Sequence, residues 1–454
     1  MPILRWPRRL LPIVGILVPT ATALSAQHPA MPADTARYAA RRERAYSLLG
    51  SDLLVVQSRW SPADASESSF DQDPAFYYYT GLDLLGAILV LDGSARRAEL
   101  FLARPAPGSG QTAAALHVDR VADWSAFSPY VDAQLAARPR LSIHIDPGGP
   151  DAWLAGRLGT PLDTMAALAN PQLAWRRALH RRWPDATIGP DTMISPTLRA
   201  VKDSGEVAAL RRAAANSVVA FKAGLARFAP GRRQRDVEAA VVEACTRLGD
   251  GPAFWPWAMT GPNAAFPAPF EASLDPHNLD RVMRPGEVAR FDIGCKADHY
   301  MGDVGRTLPV SGTFTPGQAE VIDLLAAVYR AGLATLRHGA TGKGLLQASV
   351  AEAGRRRGGM RTALGRHAAA LLTQPDSLPF WQWHGIGLDY AESLPPVLRA
   401  GMVLDYEPIF VVDGQGFYME DMVLVTPGGY EMLTAGLPNT AAEIQRAMHR
   451  RKAR

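Results

Sequence analysis

Two aspartates stand in a part of the sequence that otherwise predicts a pair of apolar β-strands. Residues 288–295 and 299–307 are joined by a short polar turn, and Asp292 and Asp303 lie within them with ten residues in between. An aspartate is disfavoured in a strand, and a buried one must be paired or must bind a metal ion. The alternative is that both are exposed acids beside a turn.

Three further stretches place a histidine and two glutamates in similar surroundings. His384 lies among aromatic and glycine residues, Glu407 follows the strand-like residues 401–404, and Glu420 lies in the apolar run 419–425. Taken singly, each is compatible with a structural role. Taken together with the two aspartates, they make five oxygen and nitrogen ligands of the kind that suits Mn²⁺, Co²⁺ or Zn²⁺.

The charge of this set favours two metal ions over one. Its four carboxylates bring four negative charges, which two divalent ions neutralise. Without metal, the carboxylates would repel one another and raise their own pKa values. Two ions about 3.5–4 Å apart can share a bridging water, lower its pKa and polarise a carbonyl. The residues therefore predict a dinuclear hydrolytic site.

The elements that must position these residues fall into two parts. Short apolar runs between turn-forming residues predict strands at 53–57, 86–91, 99–103 and 141–145, with helices at 35–49 and near 131–137. After the turn-rich section 184–196, a long amphipathic helix begins at Ser204, and a second covers 237–248. Mixed strands and helices predict an α/β (α+β) chain of two domains with a boundary near residue 197.

The composition excludes several classes of protein. The 454 residues are 47% hydrophobic and 20% charged, which fits a packed core and not a disordered, collagenous or coiled-coil chain. The formal net charge is +4, and three arginines in the first 26 residues account for most of it, so no nucleic-acid partner is expected. The two cysteines, Cys245 and Cys295, permit at most one disulfide, and the sequence leaves their pairing open.

The N-terminus has the order of an export signal. Arg5, Arg8 and Arg9 precede an apolar run at 10–18, and small residues follow as far as Ala26. The run is too short to span a bilayer as a stable helix, and no later stretch is long enough. We expect residues 1–26 to be a cleaved signal peptide and the mature protein to be periplasmic or secreted without a membrane span.

In order and spacing, the five candidate ligands resemble those of the pita-bread metallopeptidases, which include aminopeptidase P, prolidase and methionine aminopeptidase. The resemblance covers about residues 197–440. Four further stretches support it, namely 199–207 at the entry to the domain, 261–265 in an active-site loop, 306–312 after the second aspartate, and 70–81, which is similar to the N-terminal domain of aminopeptidase P.

This resemblance implies a fold and a role for each ligand. It implies an N-terminal creatinase-like α/β domain at 27–196, followed by a pita-bread catalytic domain at 197–454. One metal would be held by Asp292, Asp303 and Glu420, and the other by Asp303, His384, Glu407 and Glu420. Glu407 and His384 are the expected catalytic residues, with Glu407 as the base. The expected ions are two Mn²⁺, with Co²⁺ and Zn²⁺ as alternatives.

The sequence departs from this family in three places. Ala391 stands seven residues after His384, where a second histidine is usual, and Ala268 stands where another is expected, with His277 nearby in an insertion. Tyr418 replaces an arginine two residues before the last ligand. The replaced groups bind substrate oxygens, so metal binding is expected to survive while turnover of the usual substrate is left open. The candidate substrate-pocket residues are Asn263, His277, Trp383 and Tyr418.

The expected function is that of an exported, dinuclear-metal Xaa-Pro aminopeptidase acting on peptide substrates, with a homodimer as the expected assembly. One alternative is an Xaa-Pro dipeptidase of the prolidase type. A second is a catalytically impaired, metal-binding homologue with a binding role. A third is hydrolysis of another amide or of a phosphorus ester at the same metals.

Overall fold

The computed structural model describes residues 35–59, 71–103, 113–146, 171–265, 280–374 and 381–449. The expected signal peptide, Ala268 and His277 lie outside the described residues. Within them, no helix is long and apolar enough to cross a membrane.

The N-terminal part is a six-stranded mixed sheet flanked by helices. Its strand order is β4-β3-β2-β1-β5-β6, with β1 pairing β2 in antiparallel and β5 in parallel fashion. The elements are α1 (Thr35–Leu49), β1 (Leu53–Gln57), α2 (Pro74–Thr80), β2 (Ala87–Asp92), β3 (Arg97–Leu102), β4 (Arg120–Asp123), α3 (Phe127–Ala137), β5 (Ser142–Ile145), α4 (Pro171–Arg182), β6 (Thr187–Pro190) and α5 (Ile194–Ala200).

The C-terminal part is built around a seven-stranded sheet with the order β12-β13-β14-β11-β8-β7, in which β15 also pairs β14. Its elements are α6 (Ser204–Leu225), α7 (Gln234–Leu248), β7 (Trp257–Thr260), β8 (Val288–Ile293), β9 (Lys296–Ala297), β10 (Tyr300–Met301), β11 (Val304–Pro309), α8 (Pro316–Leu333), α9 (Gly342–Arg357), α10 (Ala363–Leu372), β12 (Trp381–Gly385), β13 (Val403–Val412), β14 (Gln415–Val425), β15 (Tyr430–Met432) and α11 (Ala441–His449).

The α/β architecture predicted from the sequence is confirmed, and most predicted elements end within a few residues of their observed bounds. One strand is longer than expected. The sequence suggests that Glu407 follows a strand, whereas β13 continues through Val412 because apolar residues on both sides of Glu407 are buried in the sheet. The boundary expected near residue 197 falls within α5 and stays a prediction.

The two faces of the large sheet belong to two different buried clusters. Alternate side chains of β13 and β14, such as Tyr406 and Met419, belong to the hydrophobic core formed with helices α6, α8, α9 and α10. Residues of opposite parity on the same strands point to the other face, because side chains alternate along a strand. Glu407 and Glu420 therefore lie on the opposite face, together with Val403, Met422 and Leu424, which pack in a second buried cluster with residues of α6 and of the N-terminal part.

A buried arginine joins the two parts of the chain. Arg41 on α1 forms ion pairs with Asp203 at 2.7 Å and with Glu206 at 3.1 Å, both at the start of α6. Its guanidinium also donates to the Tyr300 hydroxyl at 3.3 Å and to the carbonyl of Tyr78 at 3.1 Å. The Arg41 side chain is fully buried, so these contacts replace all of its hydration.

The two cysteines, whose pairing the sequence leaves open, form a disulfide. Cys245 on α7 bonds to Cys295 just after β8, with Cα atoms 5.1 Å apart and both residues fully buried. The bond fixes α7 against the strand that bears Asp292. It closes a chain segment of 50 residues.

Candidate metal centre

The antiparallel register of the large sheet brings the ligand candidates onto one face. Gly305 of β11 lies directly opposite Asp292 of β8 and, on its other side, opposite Glu420 of β14. At the neighbouring pair of strands, His384 lies opposite Asp405. Directly opposed residues in an antiparallel pair project to the same side. The side chains of Asp292, Glu420 and His384 therefore share one face with that of Glu407, two residues after Asp405, and we call it the ligand-bearing face.

Asp303 reaches the same place from a turn. It lies just before β11, not inside a strand, and its backbone N–H donates to the sulfur of Met422 at 3.3 Å. The chain between the two aspartates folds into the small hairpin β9–β10, whose central residues Asp298 and His299 both have positive φ. Such two-residue turns match the twist of antiparallel strands. The hairpin therefore accounts for the ten residues between Asp292 and Asp303.

The ligand atoms of three candidates converge closely. One atom each from Asp303, His384 and Glu420 lie within 4.8 Å of one another. The His384 Nε2 atom is 3.6 Å from a carboxylate oxygen of Glu407, and its Nδ1 atom lies 3.1 Å from the carbonyl oxygen of Gly385. A histidine that donates one ring N–H to a carbonyl presents its other nitrogen as a lone-pair ligand.

The electrostatics of the site fit bound cations. Burial, followed by repulsion from neighbouring carboxylates, raises the pKa of Asp303 and of Glu420 well above the usual range. Burial also raises the pKa of Glu407. One oxygen of Asp303 is buried and accepts no hydrogen bond from the described residues. Orphaned carboxylate oxygens beside an imidazole form the hard donor set that divalent ions require, so the residues present fit a metal centre.

Two residues beside the ligands were missed as functional candidates in the sequence. Arg290 donates from Nη2 to an oxygen of Asp292 at 2.8 Å, and its guanidinium lies 4.8 Å from the ring centroid of Tyr418. Asp405 is fully buried on the same face. Each stands two positions from a predicted ligand, Asp292 or Glu407, so the period-two alternation of a strand was the signal that could have found them.

Two family models match the chain. The model of metallopeptidase family M24 matches residues 208–427, and the model of the aminopeptidase P N-terminal domain matches residues 38–141. This chain belongs to metallopeptidase family M24. The M24 match contains all five predicted ligands, and the second model identifies the N-terminal part as that of an aminopeptidase P-like member.

Relatives of this M24 chain are Xaa-Pro aminopeptidases. It is 30% identical to Xaa-Pro aminopeptidase 2 of Streptomyces coelicolor over 56% of the chain and 57% of that protein, so the match spans little more than half of that relative. It is 24% identical to the Xaa-Pro aminopeptidase of Escherichia coli over 84% of the chain and 90% of that protein. The solved structure of an E. coli aminopeptidase P variant has a TM-score of 0.69 and 21% identity, covering 93% of the chain and 99% of that structure. The structural likeness establishes the pita-bread fold with its N-terminal domain.

Not all of the predicted substrate-pocket residues of the M24 chain lie beside the ligands. Tyr418 is buried on the face that bears the ligands, and its hydroxyl donates to Glu420. A Cβ at Gly305 would collide with the Tyr418 ring, so the glycine provides the space in which the ring lies across β11. Asn263 lies in a short 3₁₀ helix, Gly261–Ala264, just after β7. His277 is outside the described residues.

Trp383 is not brought to the ligand-bearing face. It pairs with Tyr406, whose side chain is part of the core, and its ring packs against Gly342 at the start of α9. Neighbouring residues in a strand project to opposite faces, so Trp383 and His384 lie on different sides of β12. The tryptophan therefore contributes to the packing of the M24 domain rather than to the surroundings of the ligands.

A buried ion-pair cluster fixes the segment after the ligand histidine. Glu392 accepts a hydrogen bond from Arg199 Nη2 at 2.6 Å and one from Lys202 Nζ at 2.7 Å. Its backbone exchanges two hydrogen bonds with that of Gly385, at 2.7 and 2.8 Å. Gly385 follows His384 directly, so the cluster ties the ligand histidine to the residues that enter the M24 domain.

We predict that Glu392→Gln destabilises the protein in a pH-dependent way. Burial alone would raise the pKa of Glu392, but the ion pairs with Arg199 and Lys202 outweigh it and lower the pKa from 4.5 to about 2. The unfolded chain therefore takes up the proton first on acidification, and the stabilisation is present above pH 4.5 and lost between there and pH 2. The shift corresponds to about 3 kcal/mol at neutral pH.

Chemical denaturation of both proteins at pH 7 and at successively lower pH measures this effect. The difference in unfolding free energy between wild type and Glu392→Gln should shrink as the pH falls through this window. A difference that stays constant from pH 7 to pH 3 would show that Glu392 does not stabilise the fold through its charge.

Proposed function

We propose that this chain is an exported, dinuclear-metal Xaa-Pro aminopeptidase, which hydrolyses the bond between an N-terminal residue and a following proline. The observation that supports it most directly is the convergence of Asp303, His384 and Glu420 within 4.8 Å. Asp292 and Glu407 project from the same face, which supports the proposal that they are the remaining ligands. The names of the curated relatives supply the substrate class.

In this proposal Asp292, Asp303 and Glu420 hold one ion, and Asp303, His384, Glu407 and Glu420 surround the other. Divalent ions at such a centre supply Lewis acidity toward the peptide carbonyl and neutralise the charge of the carboxylates. The chain itself orients these groups. Tyr418 donates to Glu420, Arg290 holds Asp292, and the Gly385 carbonyl orients the His384 ring.

Glu407 is the proposed proton carrier. Its carboxyl is buried next to His384, and burial raises its pKa, which makes it a stronger base than an exposed glutamate. It would accept a proton from the attacking water and return it to the departing amine of proline. Glu407 lies inside β13, where its backbone pairs with that of Gln382 in β12, so the sheet fixes the point from which the side chain projects.

Mn²⁺ is the proposed ion. The predicted ligands comprise four carboxylates and one imidazole, and an oxygen-rich set of this kind suits Mn²⁺ better than the tetrahedral nitrogen and sulfur sites typical of Zn²⁺. The identity of the ion is tested by metal analysis of protein purified without added metal, followed by reconstitution with Mn²⁺, Co²⁺ and Zn²⁺ separately.

The buried disulfide supports the proposal that the protein is exported. Disulfides persist in oxidising compartments and are rare in the reducing cytosol. Both cysteines of the chain are joined in this bond, which agrees with the expected signal peptide at residues 1–26. N-terminal sequencing of the mature protein from the periplasm or medium should begin at Gln27. An intact N-terminus on cytosolic protein would contradict export.

The decisive test is a metal-reconstituted assay on Xaa-Pro substrates of two, three and five residues. We expect release of the N-terminal residue from all three lengths, and no release from matched peptides with alanine second. Cleavage of the dipeptide alone would instead identify a prolidase-type dipeptidase. If metal binds and no peptide is cleaved, the peptidase proposal fails, and an assay on other amides and on phosphorus esters then distinguishes a binding homologue from a hydrolase of another substrate.

The assay includes Ala391→His beside wild type. Ala391 is exposed at the position where the family usually has a histidine that contacts substrate. A higher rate in this variant would show that the lack of a histidine at position 391 limits turnover in the wild type. An unchanged rate would show that the wild-type site works without it.

A further inference from the structure

Asp405 is a buried carboxylate without a donor. It is fully buried in β13, and neither of its oxygens accepts a hydrogen bond from the described residues. Two carboxyls beside it, those of Glu407 and Glu420, could donate to Asp405 only in their protonated form. A buried carboxylate with no donor and no counter-ion is costly to keep, so a protein that retains one has a partner for it.

A second buried aspartate in the adjacent strand shows the contrast. Asp421 receives two hydrogen bonds from Arg306 Nη2, at 3.0 and 2.8 Å, one from Tyr329 at 2.8 Å and one from Thr434 at 2.7 Å. It lies opposite Tyr406 and projects toward the helices. The described residues therefore supply donors to Asp421 on one face of the sheet and none to Asp405 on the ligand-bearing face.

The position of Asp405 places it at the metal centre. It pairs with His384 of β12 on one side and with Met422 of β14 on the other. Met422 in turn accepts the backbone N–H of Asp303. Asp405 thus projects from the ligand-bearing face, beside His384 and next to the methionine that contacts Asp303.

We propose that Asp405 is a sixth ligand of the metal centre, binding the divalent ion that Asp303, His384 and Glu420 share. This inference rests on the metal site of the proposed function. It also closes the charge balance of the buried face. With Asp405 the face has five carboxylates, Arg290 neutralises one through its ion pair with Asp292, and two divalent ions neutralise the other four. The additional carboxylate favours Mn²⁺, which prefers oxygen ligands, over Zn²⁺.

The test is Mn²⁺ binding to Asp405→Asn, measured by calorimetry and by metal content after dialysis. Asparagine keeps the size of the side chain and can donate a hydrogen bond, but it has no charge. We expect Mn²⁺ to bind at least about 10-fold more weakly, with a smaller loss for Zn²⁺. The thermal midpoint of the metal-free variant should equal or exceed that of wild type, because a buried unpaired charge has been removed.

Asp413→Asn is the matched control, because it removes one exposed charge from the turn between β13 and β14 and should leave Mn²⁺ affinity unchanged. If Asp405→Asn and wild type bind two Mn²⁺ with equal affinity, Asp405 is not a ligand, while the proposed function stands. If wild type binds no divalent ion, both fail. Should Asp405→Asn not fold, Asp405→Ser supplies the same measurement.

Discussion

Replacement of Glu407 by glutamine is expected to reduce kcat on an Xaa-Pro peptide by about 10²–10⁴-fold, the usual contribution of a positioned proton carrier. Glutamine has the same shape but cannot take up the proton of the attacking water. Its amide is also a poorer metal ligand than a carboxylate. The measurement is steady-state hydrolysis of a tripeptide with proline second, with metal content determined on the same preparations.

The control for Glu407→Gln is Asp413→Asn, which alters an exposed acid on the same hairpin. The two readouts separate the roles of Glu407. If Glu407→Gln still binds two ions but no longer turns over substrate, Glu407 acts in proton transfer. If the variant loses one ion together with its turnover, Glu407 acts mainly as a metal ligand. Activity within threefold of wild type would contradict both roles.

The second large effect is expected from Arg41→Ala, which should lower the free energy of unfolding by about 3–5 kcal/mol. The variant leaves Asp203 and Glu206 at the start of α6 without their buried counter-ion, and the Tyr300 hydroxyl loses a donor. Burial raises the pKa of Glu206. Because these contacts join α1 to the M24 domain, we expect the two parts of the Arg41→Ala chain to unfold in separate transitions.

Denaturant unfolding of metal-free wild type, Arg41→Ala and Arg44→Ala measures this effect. Arg44 is an exposed arginine on the same helix, so its removal should change stability by no more than about 0.5 kcal/mol. We expect Arg41→Ala to show an early transition that the other two lack, since the N-terminal part would unfold separately. Equal midpoints for the two variants would show that the buried ion pairs do not couple the parts.

Much of the candidate site was predictable from the sequence, because strands and their turns are encoded locally. Apolar runs broken by turn residues located β1 and β8 closely, and acids within such runs identified Asp292 and Glu420 as candidates. The resemblance to the pita-bread metallopeptidases then implied which ligands hold which metal ion. The strand expected before Glu407 continues through Val412, because the strand-forming residues 409–412 follow Glu407 and Pro408.

Other features depended on contacts between distant parts of the chain. Arg290 and Asp405 are unremarkable as sequence, and only the register of five neighbouring strands places them beside the ligands. The same register directs the side chain of Trp383 toward the hydrophobic core, although Trp383 is next to His384 in the sequence. The pairing of the cysteines likewise depends on how α7 packs against β8.

By itself, the amino-acid sequence determined the kind of residues available for chemistry, the alternation that assigns them to strand faces and the approximate bounds of those strands. The tertiary structure decided which sheet faces meet and which buried carboxylates accept hydrogen bonds from other side chains. It also decided which carboxylates lack such donors and are available to bind cations. The physical reason is that side-chain alternation is a property of neighbouring residues. Hydrogen bonds and charge balance, in contrast, depend on partners such as Arg306 for Asp421 that lie more than a hundred residues away.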